Sequence, residues 1–225
     1  MHNVINNLIS IEDELKIKIN DLNFTNFNPN IIAVSKTFGI RDILPLINHG
    51  HIHFGENKVQ EAEEKWNSVK KENSNLKLHM IGKLQSNKAK KAVQLFDFIH
   101  SLDSMKLAEA LRKREIELNK KLSYFIQINI GDESQKSGIS PNNAQDFLKF
   151  CTKEINLNVI GLMVIPPNDN NPSKYFEKIS KLNFNLGLAD LSMGMSSDYE
   201  KAVKFNATFL RIGSGILGPR TFKKL

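Results

Sequence analysis

Short apolar runs rich in β-branched and aromatic residues recur along the chain, each separated from the next by a longer amphipathic stretch, and this alternation restricts the fold more than any other feature. Strands that alternate with helices pair in parallel, because a parallel neighbour needs a crossover longer than a hairpin turn. Eight such runs are legible, at 31–35, 51–55, 78–82, 96–101, 124–130, 159–165, 190–194 and 209–213. Helical patterns fill the intervals, for example at 41–48, 58–72, 104–119 and 142–153, with Ser140-Pro141 and Ser173 as N-terminal punctuation. A further amphipathic stretch at 4–22 precedes the first strand. Eight strand-helix units in 225 residues predict a closed (β/α)8 TIM barrel, spanning 1–225 as one α/β domain with an extra N-terminal helix. Pro166-Pro167-Asn168-Asp169-Asn170-Asn171-Pro172 is too short for an interdomain linker and reads as a strand-to-helix loop beside the mouth of a site.

Composition narrows the chemistry. Cys151 is the only cysteine, which excludes an internal disulfide and zinc-finger spacing and fits a reducing compartment. The first residues lack a basic segment followed by an apolar one, and no apolar run approaches the ~18 residues of a spanning helix. The expectation is a soluble, cytoplasmic protein with no membrane partner. A formal charge of +7 invites nucleic acid, yet Lys70-Lys71, Lys90-Lys91, Lys120-Lys121 and Lys223-Lys224 are scattered and lack interleaved aromatics. They read as solvated helix faces, and no nucleic acid partner is expected; a small anion such as phosphate suits the surplus equally well.

In a barrel the carboxyl ends of the strands share one rim, and the polar and Gly-rich motifs of this chain fall directly after strands. Lys36 stands out at the end of Ile31-Ile32-Ala33-Val34-Ser35, where burial can lower the charge of an amine and ready it for Schiff-base chemistry. Gly213-Ser214-Gly215-Ile216-Leu217-Gly218 fits G-x-G-x-x-G, but seven residues follow it, too few for the helix, second strand and acidic ribose contact of a dinucleotide fold. His49, His51 and His53 would share one strand face if extended, without a carboxylate or cysteine to complete a metal shell, and no metal is expected. Cys151 reads as core, and Met193 and Met195 as packing or pocket wall.

In order and register these motifs resemble the pyridoxal phosphate homeostasis proteins, an alanine racemase N-terminal-domain-like family. The resemblance covers nearly the whole chain. It rests on Phe54-Gly55-Glu56-Asn57 with Gln60-Glu61, Ile81-Gly82 with Leu84-Gln85 and Asn87-Lys88, Ser192-Met193-Gly194-Met195-Ser196 with Asp198, and Arg211-Ile212-Gly213. It implies that Lys36 holds pyridoxal 5′-phosphate (PLP) as an internal aldimine. Ser196 and the backbone N–H groups of Gly213 and Ser214 are implied to take the phosphate, Arg211 to face the pyridine nitrogen, and Asn57 to line the pocket. A permanently cationic neighbour disfavours ring protonation and leaves a poor electron sink, which argues against transamination or decarboxylation through a fully developed quinonoid while leaving aldimine formation and transfer unaffected. The residues alone leave alternatives: Ser196 as N-cap of a helix at 198–203, Asn57 as an N-cap, and Arg211 in an outward salt bridge.

The implied function is storage, buffering or delivery of PLP, with PLP-dependent apo-enzymes as partners and no robust catalysis. A racemase needs a second acid/base group on the opposite face of the cofactor. Related racemases take it from a carboxy-terminal β-domain; here fourteen residues follow Arg211, and Tyr124, Tyr175 and Tyr199 match no such role. That reading also expects a monomer. The alternatives are a low-activity PLP-dependent racemase or related small PLP enzyme, and a phosphate- or nucleic-acid-binding barrel that does not use Lys36. Lys83, Lys88 and Lys136 lie near the expected mouth, where a second cofactor site is conceivable.

Overall fold

The computed structural model describes residues 3–131, 137–167, 169 and 171–219. Eight parallel strands close into a barrel in sequence order: β1 (Asn30–Val34), β2 (His53–Glu56), β3 (Lys77–Met80), β4 (Phe98–Leu102), β5 (Ser123–Ile128), β6 (Val159–Val164), β7 (Asp190–Met195) and β8 (Phe209–Ile212). Closure is made by β8 returning to β1, with Ile31 beside Leu210 and Ala33 beside Ile212, so no strand edge is left exposed. Helices cover the outside: α1 (Asn3–Asp21), α2 (Ile40–Asn48), α3 (Val59–Glu72), α4 (Ala89–Leu95), α5 (Met105–Leu118), α6 (Ala144–Lys149), α7 (Ser173–Asn185), α8 (Tyr199–Val203) and α9 (Ser214–Leu217). The helix preceding the first strand joins α8 and α9: Asn7 Nδ2 donates to Ile216 O at 2.9 Å, and the Tyr199 hydroxyl donates to Glu14. Among the described residues no helix is long and apolar enough to cross a membrane.

Of two local expectations, the helix start at Ser173 is borne out and the unbroken helix at 142–153 is corrected. Ser173 is the first residue of α7 and Pro172 precedes it as the cap, its φ of −64° already set by the ring. The helix expected over 142–153 is broken into a 3₁₀ turn at Pro141–Asn143, then α6, then a π-helical turn at Phe150–Glu154 that buries Cys151.

The buried residues fall into two clusters. The larger lies between the wall and the helices and includes Leu46, Trp66, Leu111 and Phe176. The smaller joins Ile32, Phe125, Met163 and Phe209, from β1, β5, β6 and β8. Strands so far apart around the ring meet only in the interior, as alternation of side chains along each strand requires.

Candidate functional site

A cavity of about 300 Å³ opens at the carboxyl ends of the strands and is lined by Lys36, Asn57, Ser196, Arg211, Gly213 and Ser214. Val34, Ile81, Ile165 and Met195 supply its apolar wall. The volume is at the small end of ordinary ligand sites, which run to roughly 300–1,000 Å³. All six positions singled out from the sequence, five polar residues and Gly213, thus meet around one space at the ends of β1, β2, β7 and β8 and the turns after them.

Local structure explains where each side chain sits. Immediately after β1 the chain turns back, with the Phe38 N–H donating to Ser35 O at 3.2 Å and Thr37 in the left-handed region at φ 69°. A β-branched residue there is strained, so the turn that presents Lys36 is enforced by its surroundings. The enforcing group is Glu56, fully buried at the end of β2. Its Oε1 accepts from Ser35 Oγ (2.7 Å), Lys65 Nζ (2.8 Å) and Trp66 Nε1 (2.9 Å), and Lys65 also donates to Ser35 O (2.7 Å). Two residues of α3 thereby clamp the ends of β1 and β2 on either side of Lys36 and Asn57. The residue capping α3 is Lys58, so Asn57 is a cavity residue and not the N-cap. Gly82 completes this side: a Cβ there would stand 2.4 Å from Asn57 O, so only glycine lets the loop after β3 press against that backbone.

On the other side Ser196 Oγ accepts from the N–H groups of Gly213 (3.2 Å) and Gly215 (3.1 Å), bridging the turns after β7 and β8. The cap of α8 is Asp198, which corrects the N-cap alternative for Ser196: its hydroxyl is drawn across the rim instead of along its own helix. Asp198 Oδ1 takes the Met195 N–H at 2.6 Å.

Arg211 is 5% exposed and points inward, not into a surface salt bridge. Nη1 donates to Ser192 Oγ at 2.6 Å and Nη2 to Val164 O at 2.8 Å. Burial pulls its pKa down to about 10, opposed by Asp198, and the group stays cationic at neutral pH. A guanidinium has five donors, and those committed here go to neutral acceptors. A buried cation held this way is best satisfied by an anion or an electron-rich acceptor in the cavity that it lines.

The other candidates sit elsewhere. His49 caps α2, His51 Nε2 donates to His53 O (2.9 Å), and the ring of His53 meets that of His79, so the three histidines do not converge. The tyrosine hydroxyls donate to Glu115 from Tyr124 (3.0 Å), to Asp169 from Tyr175 (2.8 Å) and to Glu14 from Tyr199. Lys83 and Lys88 do not line the cavity. Lys136, and Asn168 and Asn170 of the Pro/Asn-rich loop, lie outside the described residues. Among the described residues, the element after Gly213 is the four-residue α9. The residues that sequence reasoning missed are the supports: Ser192, Glu56 and Lys65. The first two belonged to recognised motifs, and nothing local marked their partners.

Comparison with known proteins places the chain in a family by sequence and fold. The family described as "Alanine racemase, N-terminal domain" matches residues 15–221. A pyridoxal phosphate homeostasis protein of Aquifex aeolicus (strain VF5) is 36% identical over 201 residues, covering 85% of this chain and 87% of the relative. Its counterpart in Pasteurella multocida (strain Pm70) is 35% identical over 228 residues, covering 97% and 98%. The structure of PipY from Synechococcus elongatus PCC7942 with PLP bound superposes with a TM-score of 0.82 at 32% identity, covering 96% of this chain and 100% of that one. Alanine racemase of Clostridium difficile 630 shares the fold at a TM-score of 0.69 and 14% identity, with 58% of its length covered. By sequence over nearly its full length and by fold, the chain belongs to the pyridoxal phosphate homeostasis protein family, built on the alanine racemase N-terminal domain.

Proposed function

We propose that this protein binds PLP in the rim cavity and holds it for storage, buffering or delivery to apo-enzymes, without robust catalysis of its own. The observation that carries the reading is the meeting of Lys36, Arg211 and Ser196 around one cavity of suitable size. PLP supplies an aldehyde that an amine can trap with loss of water, a ring nitrogen able to accept a hydrogen bond, and a phosphate dianion. Lys36 is the amine placed to make that bond, on a turn clamped by Glu56 and Lys65. Ser196, Gly213 and Ser214 offer hydroxyl and backbone donors to the phosphate, the glycine allowing close approach. Arg211, a donor without acceptor capacity, keeps a proton off any ring nitrogen it faces. That choice disfavours reactions that draw electrons far into the ring, such as transamination or decarboxylation, and leaves bond formation with Lys36 unaffected. Asn57 and the apolar wall of Val34, Ile81 and Ile165 hold the ring in place. The protein acts as a monomer in the cytoplasm, without nucleic acid or membrane as a partner.

The test is the visible spectrum of the purified protein with added PLP, before and after borohydride reduction, with peptide mapping of the reduced adduct. A band abolished by borohydride, with the label on Lys36, is expected, and Lys36→Ala loses both while remaining folded. Label spread over surface lysines, or unchanged retention in Lys36→Ala, overturns the assignment. Exchange of α-protons of amino acids into heavy water separates this reading from that of a weak racemase.

A further inference from the structure

A continuous chain of hydrogen-bonded side chains leaves the cavity through the middle of the barrel. Arg211 Nη1 lies 2.6 Å from Ser192 Oγ, and Ser192 Oγ lies 2.7 Å from His100 Nδ1. His100 Nε2 is 2.9 Å from His79 Nδ1, and His79 Nε2 is 2.9 Å from His53 Nδ1. Phe125 stacks on His100 with centroids 4.3 Å apart, and Phe98 on His79 at 4.4 Å, so apolar rings shield the chain from lateral contact with water. His53, at the start of β2, lines a second cavity of about 340 Å³ with Asn30, the first residue of β1. The chain therefore runs from the carboxyl rim to the opposite mouth.

Donor and acceptor chemistry gives it one direction. A guanidinium only donates, so Ser192 Oγ accepts from Arg211, and among the described residues His100 Nδ1 is the one partner of that buried hydroxyl able to accept its proton. His100 then carries its own proton on Nε2 and gives it to His79 Nδ1; His79 repeats the step to His53. The arrangement requires neutral rings, because an imidazolium has no acceptor to offer. Burial holds His79 and His100 well below the ordinary histidine range, and the charge of Arg211 adds to the effect at His100.

We propose that His100 is a positioning residue for Arg211: by accepting the Ser192 hydroxyl hydrogen bond at a bare Nδ1, a neutral, tautomer-locked histidine chain aims the guanidinium at the cavity. What Arg211 meets there rests on the function proposed above; the tautomers do not. The decisive measurement is the long-range ¹H–¹⁵N spectrum of the histidine side chains in the full chain at neutral pH. Bare Nδ1 and protonated Nε2 are expected at His53, His79 and His100. A protonated Nδ1 at His100 or His79, or an imidazolium at either, overturns the proposal.

Two variants then separate positioning from packing. An asparagine amide places a carbonyl oxygen near the position of Nδ1, whereas glutamine reaches only toward that of Nε2. His100→Asn is expected to retain the wild-type visible band and affinity for PLP. His100→Gln shifts the band and weakens binding about tenfold, the scale of one hydrogen bond to a charged partner. Equal behaviour of the two variants, whether wild-type or impaired, overturns the positioning role. Failure of the wild-type protein to bind PLP would sink the proposed function, while the histidine spectra would still decide the chain.

Discussion

Outside the barrel wall, Leu46, Trp66, Leu111 and Phe176 are fully buried on the helices that cover the strands, all apolar save one indole N–H. Inside the wall, Ile32, Phe125, Met163 and Phe209 share a narrower space with His79, His100, Ser192 and Arg211, every one of them buried. The outer layer gains stability in proportion to the apolar area removed from water and tolerates many shapes. The inner layer spends part of that gain on polar groups that must be mutually satisfied, and it obtains directionality in return. At Glu56, Trp66 and Lys65 on the helix side grip the strand ends that present Lys36 and Asn57.

The largest effect expected is on the outer layer. Trp66→Ala removes a ring packed on Phe54 at 4.9 Å and one donor to Glu56, and should lower unfolding stability in urea by about 4 kcal/mol. A loss under about 1 kcal/mol would break the contrast between the layers. Next comes acid. Burial lowers the pKa of His51 from 6.5 to about 4, and it pushes His79 and His100 the same way. A histidine whose folded pKa is depressed binds more protons when unfolded, so its stabilising contribution is complete above 6.5 and is lost as pH falls toward about 4. His51 alone accounts for something on the order of 3 kcal/mol across that window, readable as a falling urea midpoint. A flat midpoint would show that these rings are hydrated. Smaller still is Ser192→Ala, which should cost about 2 kcal/mol in stability yet detach Arg211 from His100, giving a mixture of tautomers in the histidine spectra. Retention of a single tautomer would place the source of direction elsewhere. At the bottom of the scale, breaking the exposed Lys181–Glu177 pair with Glu177→Ala should leave the urea midpoint unchanged.

Legibility in the sequence follows the same division. The strand at 159–165 is realised as Val159–Val164 and that at 209–213 as Phe209–Ile212, because strand periodicity and helical amphipathicity are properties of neighbouring residues. The helix at 142–153 was less legible, since a 3₁₀ start and a π-helical end carry no distinct pattern. Within the site, Lys36, Ser196 and Arg211 were legible as strand-end residues. Their supports were not. Lys65 lies on a helix face where a solvated lysine is the ordinary expectation, and only the packing of α3 against β1 and β2 directs it to Ser35 and Glu56.

By itself, then, the amino-acid sequence determined the eightfold alternation, the parallel pairing it compels and the gathering of motifs on one rim, all consequences of local periodicity and chain connectivity. Tertiary structure alone decided which side chains meet across the interior. His53 and His79 are 26 residues apart, and His100 and Ser192 are 92 apart, and no short-range pattern relates them. Their contact depends on strand register and on closure of β8 against β1, which bring inward-facing positions of distant strands into one shared space.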